Sequence, residues 1–414
     1  MKKNGFTLVE LLSIVVILGI IVVVALPQIS GSIGSKKEKQ YNKIVKIVEN
    51  AGKVYLTENV TRDSVSIDKL IKSDYLTSGL KNPINNAPLT GCVKKIISDG
   101  VTKYKYEVDN CPNYLTTYIM DLYDNEETSI ENGLKKDNTP DQNIRYYGSN
   151  PNNYVSFNNE LWRIIGVFGN NVKLVRSEKL GDLSWDSSEE SINAGGGVNE
   201  WSQADLQVYL NKMYYGGTSV TCYNGENNTT TTCPTGTIDE TSKSLIDYHT
   251  WNTGAPNYNT LYNSTTKSFD TIEFYKAERG SVNGKTCSSG TYCNDTVTRT
   301  TEWPGYIGLP YVTDWAYASG EDDCNTKIDV SSTYKCKNNN WMHYGSTNND
   351  TTWVMSPFAL PVNANVVWHV RGGGRTGNVG AARPLSAFPT IYLKSNVLID
   401  SGKGTSSDPY ELSL

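Results

Sequence analysis

The run from Phe6 to Leu26 constrains this chain most: it is apolar over about the 20 residues that a helix needs to cross a bilayer core. One charge interrupts it, Glu10, near its start. Lys2 and Lys3 precede the run, and Lys36, Lys37 and Lys39 follow it. A carboxylate inside a membrane span costs roughly 2.5–3.5 kcal/mol on insertion scales, so such residues usually have a functional partner. A conventional signal peptide would end its apolar run in a small-residue cleavage site. Here Pro27-Gln-Ile-Ser30 leads onward toward a helix.

The stretch Met1-Lys-Lys-Asn-Gly5-Phe6-Thr7-Leu8-Val9-Glu10 resembles the class III leader of type IV pilins and pseudopilins. The resemblance implies that prepilin peptidase cuts between Gly5 and Phe6 on the cytoplasmic side. Phe6 then becomes an N-methylated terminus, and Glu10 takes the acidic position on which pilin assembly relies. Pro27 falls where many pilins kink. The physics agrees, because Glu10 lies about one helical turn from the new Phe6 ammonium. In a bundle of such helices, one subunit's Glu10 neutralises a neighbour's Phe6, where either charge alone is costly. The implied partners are prepilin peptidase, other pilin subunits and the membrane. A signal anchor with a stray Glu is the plainer alternative.

At 414 residues the chain has room for two or three domains. Its net charge of -5 argues against a general nucleic-acid surface, so no nucleic-acid partner is expected. The eight cysteines form close pairs: Cys92 with Cys111, Cys222 with Cys233, Cys287 with Cys293, and Cys324 with Cys336. An even count, all beyond the membrane run, reads as disulfides in an oxidising space. Local bridges lead, and crossed pairings stay open. No pair has zinc-site spacing and there are only three histidines, so neither metal nor cofactor is expected.

The fold class expected is α+β: a long N-terminal helix, a small antiparallel β head, and an irregular mixed domain. Residues 1–5 are the leader and 6–62 the helix, with 6–27 transmembrane. The Gly/Ser-rich joint around Ser30–Ser35 should weaken or bend that helix. Beyond it, Tyr41, Ile44, Val48, Ala51 and Tyr55 make one apolar stripe. The head, 63–112, holds a short helix over Val65–Leu76 and a hairpin of Cys92–Ile97 with Thr102–Val108 around Ser98-Asp-Gly100. It resembles the compact head of Gram-positive pilins. Residues 113–144 are acidic and polar and read as a linker, with one helical turn around Leu115–Leu122.

Residues 145–414 form the last domain. Leu161–Phe168 and Val172–Arg176 are strands around Gly169-Asn-Asn171. Trp201-Ser-Gln-Ala-Asp-Leu206 reads as a helix start capped by Ser202, with Asp205 three residues on, and a second helix covers Thr241–Tyr248. Short strands follow at Gly305–Tyr311, Thr352–Met355, Val366–Arg371 and Thr390–Leu393. Val155–Gly166, Asn199–Ser202, Trp353–Pro357, Arg383-Pro384 and Tyr392–Lys394 resemble the markers of uncharacterised surface domains of Firmicutes. The ending is more distantly similar to C-type-lectin-like and formylglycine-generating-enzyme-like folds. Arg383–Pro389 departs from that pattern as an insertion before the last strand.

No Gly-x-Ser-x-Gly, His-Glu-x-x-His or phosphate loop occurs, so an enzyme is not expected. Gly195-Gly-Gly197 and Gly372-Gly-Gly374 read as mobile turns. His249, His343 and His369 are spread far apart. The acidic loop Ser319–Cys324 lacks the ligand spacing of a calcium loop. Trp353, Trp368, Arg371 and Arg383 could form a ligand face, since aromatic rings stack on sugars and guanidinium forks bind carboxylates. The alternative is that these tryptophans fill the core.

The function expected is a type IV pilin-like subunit at the cell surface, of a Gram-positive type bacterium. It is a minor or tip subunit carrying a lectin-like adhesive module that meets a cell-surface glycan or protein. A membrane-tethered enzyme, or a competence or secretion pseudopilin, are the alternatives.

Overall fold

The computed structural model describes residues 33–60, 62–98, 100–109, 111–188, 196–282, 285–286, 300–329, 335–344, 350–359 and 364–414. The membrane run, its Gly5, Phe6 and Glu10, and Pro27 lie outside these residues. Among the described residues no helix is long and apolar enough to cross a membrane. The chain is α+β and divides into two compact units, 1–113 and 114–414.

In the first unit a helix runs Ile33–Glu58. Its stripe of Ile44, Val48, Ala51 and Tyr55 is buried against a three-stranded antiparallel sheet of Ser64–Ser66, Cys92–Ser98 and Val101–Glu107. Helix and sheet meet closely at Gly52, where a Cβ would stand 2.5 Å from Val93 Cβ. The hairpin forms around the expected turn, with Ser98 and Val101 paired as the last strand residues and Gly100 at φ +74°. The predicted helix over Val65–Leu76 is shorter than expected. Ser64–Ser66 pairs as a strand, and Ser66 caps a helix of Ile67–Lys72 by accepting the Lys69 N–H. Cys92–Cys111 bridges the hairpin's outer ends.

The linker expected over 113–144 is not one. Helices span Leu115–Asp124 and Glu126–Asn132, and strands Leu134–Lys136 and Ile144–Tyr146 pair with each other. Leu115, Ile119, Met120 and Leu134 enter the large unit's core. Their apolar spacing was masked by acidic residues that face outward. The boundary therefore moves from 145 to 114.

The large unit is built on two sheets. One runs in the order Ile307–Gly308, Thr390–Tyr392, Asn171–Arg176, Glu160–Phe168, Tyr154–Phe157, Tyr410–Ser413, Leu398–Ser401, with Ile144–Tyr146 also on the Glu160–Phe168 strand. Trp162 to Val167 is buried at every position, as a strand covered on both faces requires. The other sheet runs Arg375–Gly380, Val366–Arg371, Thr351–Pro357, Pro384–Ala387, Gly181–Ser184. The Arg383–Pro389 insertion thus supplies a strand of this second sheet before Thr390 enters the first. Seven tryptophans, from Trp162 to Trp368, are fully buried. Cys222–Cys233 and Cys324–Cys336 are local bridges, as expected, while Cys287 and Cys293 lie outside the described residues.

Two local readings are corrected. Ser202 is not the cap: Glu200 accepts the Ser202 N–H at a 3-10 turn of Trp201–Gln203, and Asp205 instead accepts the Ser187 N–H. The Ser202 hydroxyl itself donates to the same Glu200 oxygen (3.1 Å), so it is not left to accept a helix N–H. The second helix is trimmed to Glu240–Leu245, capped by Asp239. The Gly197 N–H donates to the Ser188 carbonyl (2.7 Å). Gly197 has φ +81°, and a Cβ there would meet the Asp186 carbonyl at 2.2 Å.

A buried charge centre ties the large unit together. Arg145 donates to Asp137 (2.8 Å) and Asp314 (2.6 Å), and Lys173 donates to the other Asp314 oxygen (2.5 Å). Lys173 lies 4.2 Å from the Tyr311 ring centre and 5.3 Å from that of Tyr392, close enough for cation–π attraction. Burial pulls the Lys173 ammonium down to about 8, with Asp314 working against it. Burial would raise Asp314, but Lys173 and Arg145 hold it below the usual carboxylate range.

Nearby, Glu278 accepts both the hydroxyl and the N–H of Thr313, and burial pushes it up to about 7. A raised folded-state pKa gives stability that is complete below about 4.5 and lost as pH rises through about 7. Glu278→Gln is expected to reduce the loss of unfolding free energy over that window. One such proton accounts for at most about 1.4 kcal/mol per pH unit. Urea titrations of both chains at several pH values check this. Identical slopes would show that Glu278 is not the group responsible.

Candidate functional site

The described residues hold a cleft of about 400 Å³ at one end of the second sheet, lined by Tyr258, Tyr262, Trp368, Arg371, Arg375, Thr376, Gly377 and Asn378. Its floor is a hairpin, Val366–Arg371 with Arg375–Gly380. The Gly372-Gly-Gly374 turn closes the hairpin, and Gly374 takes φ +86°. The register places Arg371 opposite Arg375, His369 opposite Gly377 and Trp368 opposite Asn378.

Each wall has its own support. Trp368 is fully buried among Phe269, Phe274 and Phe358, with ring centres 4.6–5.3 Å away, and its Nε1 donates to the Pro256 carbonyl (2.9 Å). Asn257 caps the helical turn Tyr258–Leu261, and its amide donates to the Ala359 carbonyl. That fixes Tyr258, whose ring stacks on Tyr262 at 4.8 Å.

Arg371 Nε donates to His369 Nε2 at 2.9 Å. His369 therefore accepts at Nε2. Burial, with the Arg371 and Arg375 charges added, pulls it down to about 3, so it is neutral across ordinary pH. Its Nδ1 meets no partner among the described groups. Gly377 makes room for this pair, since a Cβ there would stand 3.0 Å from His369 Nε2. The lining carries two cations, aromatic surface and polar hydroxyl and amide groups, with no carboxylate. It suits an anion attached to a ring or other flat surface.

Of the four residues expected on a ligand face, the structure brings Trp368 and Arg371 to this cleft. Trp353 is fully buried elsewhere in the sheet, its Nε1 donating to the Leu183 carbonyl (2.8 Å). Arg383 is exposed on the turn after Gly380 and does not line the cleft. Tyr258, Tyr262 and Arg375 were missed. The signals available were the Arg-Gly-Gly-Gly-Arg run and the four-residue spacing of the tyrosines.

The histidines have separate partners. His249 meets Asp247 (3.1 Å) and stacks on Tyr392, while His343 Nε2 lies 2.9 Å from the Gly372 carbonyl. Among the described residues no group of three His, Cys, Asp or Glu side chains is placed to hold a metal ion.

In comparison with known proteins, no curated protein and no solved structure matches the chain. One family description does match: residues 1–26 carry the prokaryotic N-terminal methylation motif. That motif supports a type IV pilin-like or pseudopilin subunit, made as a membrane-anchored precursor, processed by prepilin peptidase and assembled with other pilins.

Proposed function

We propose that this chain is a minor or tip subunit of a type IV pilus-like filament, and that residues 114–414 are its adhesive module. The reading is of a binding subunit and not an enzyme. Glu10 pairs with a neighbour's Phe6 ammonium during assembly. The observation that carries the reading is the joining of a methylation motif to a large second unit that has its own core and cleft.

A compact unit of this length has a radius of gyration of roughly 19 Å. Repeated at the short axial step of packed N-terminal helices, such units would crowd one another. A low-copy or terminal subunit avoids that crowding and meets surface ligands first. Gold-labelled antibody to residues 114–414 is expected to mark intact filaments sparsely or at their ends. Dense, regular labelling along the shaft would make the chain a major subunit and remove the tip role.

A further inference from the structure

We propose that the cleft between the Tyr258/Tyr262 stack and the Arg371/Arg375 end of the hairpin binds an acidic saccharide. The arginine pair holds its carboxylate, and a sugar ring lies against the tyrosines. This names the ligand class of the adhesive module and rests on that reading for its biological setting.

Three observations carry it. First, Arg371 and Arg375 are directly opposed across the hairpin. Like charges in that position repel and destabilise a sheet. No carboxylate is among the residues that line the cleft. An arriving anion relieves that repulsion. Second, the Arg371 guanidinium is oriented before any ligand binds. Neutral His369 accepts from its Nε, and Gly377 leaves the space for that contact. Preorganisation of this kind favours binding because less freedom is lost on association. Third, a cleft of about 400 Å³ falls in the size range of small-molecule sites. The Tyr258/Tyr262 stack adds the flat apolar surface that a sugar ring covers, and the exposed Asn378 adds an amide for its hydroxyls. A bare anion site would need the arginines alone.

The test is calorimetric titration of the full-length chain in a sugar-free detergent. The probes are an oligogalacturonate, a neutral galactan oligosaccharide of equal length, and an oligoglutamate of equal charge. The oligogalacturonate is expected to bind at least about tenfold more tightly than either of the others. Its affinity should fall as salt rises. Arg375→Gln, a change at a half-exposed position, should lower the affinity about tenfold without lowering the melting temperature, since it removes one of two opposed like charges. Tyr258→Ala should weaken the acidic saccharide more than it weakens the oligoglutamate.

No binding of the oligogalacturonate, or equal binding by Arg375→Gln, overturns the site. Equal binding of the oligoglutamate overturns the saccharide assignment. If oligogalacturonate fails to bind while filaments still adhere to cells, the ligand assignment falls and the adhesive role stands. If it binds but the chain is absent from filaments, the adhesive role falls and the cleft stands.

Discussion

Asp314→Ala is expected to unfold much of the large unit, or to lower its melting midpoint by about 5–8 °C. Asp314 is 1 % exposed and neutralises two buried cations, Arg145 and Lys173. It also accepts the Tyr311 N–H at the start of the helix Val312–Tyr317. Removing one partner of a buried pair costs roughly 3–5 kcal/mol, because the other charge stays buried and unpaired. That compares with a total stability of about 5–15 kcal/mol for a typical domain. Asp314→Asn keeps the shape and loses the charge, so its midpoint should fall between those of wild type and Asp314→Ala. Glu240→Ala removes an exposed partner of Lys243 and should leave the midpoint almost unchanged. Thermal denaturation followed by near-ultraviolet circular dichroism reads all three, since the buried tryptophans report tertiary packing. A wild-type midpoint for Asp314→Ala would show that the charge centre is dispensable.

Glu10→Val is expected to cut incorporation into filaments at least about tenfold and to leave membrane insertion intact. Valine makes the span more apolar, so insertion persists or improves. Assembly loses the carboxylate that would neutralise a neighbour's Phe6 ammonium in low dielectric, and an unpaired buried charge carries a penalty of several kcal/mol. Membrane fractionation and quantification of sheared filaments separate the two effects. Normal incorporation of Glu10→Val would show that the charge pair plays no part in assembly.

Much of the first unit was legible in the sequence, because its signals are local. The stripe from Tyr41 to Tyr55 has helical period, and Ser98-Asp-Gly100 marks a hairpin that the structure forms. The three described disulfides join the cysteines nearest in sequence. In the large unit the signals are long-range. Tyr258 and Trp368 share a cleft across more than a hundred residues, and no periodicity reports that. Trp353 fills the core, as one of the two readings of the sequence had it; its strand is buried on both faces, where alternation no longer separates core from surface. The helix Leu115–Asp124 read only as a helical turn around Leu115–Leu122 in a linker, because a few apolar residues in an acidic stretch look like a linker until their packing is seen. Arg145, Lys173, Asp137 and Asp314 were missed for a related reason. Charged residues read as surface unless their partners are known, and these partners lie up to 169 residues apart.

The central claim is that the chain enters a filament as a processed pilin-like subunit. Mass spectrometry of the N-terminal peptide of the mature protein tests it most directly. The expected peptide begins at Phe6, is methylated on its amine, and lacks Met1 to Gly5. A mature protein that keeps Met1 to Gly5, or that begins near Ile29 or Ser30 after removal of the apolar run, would contradict the account.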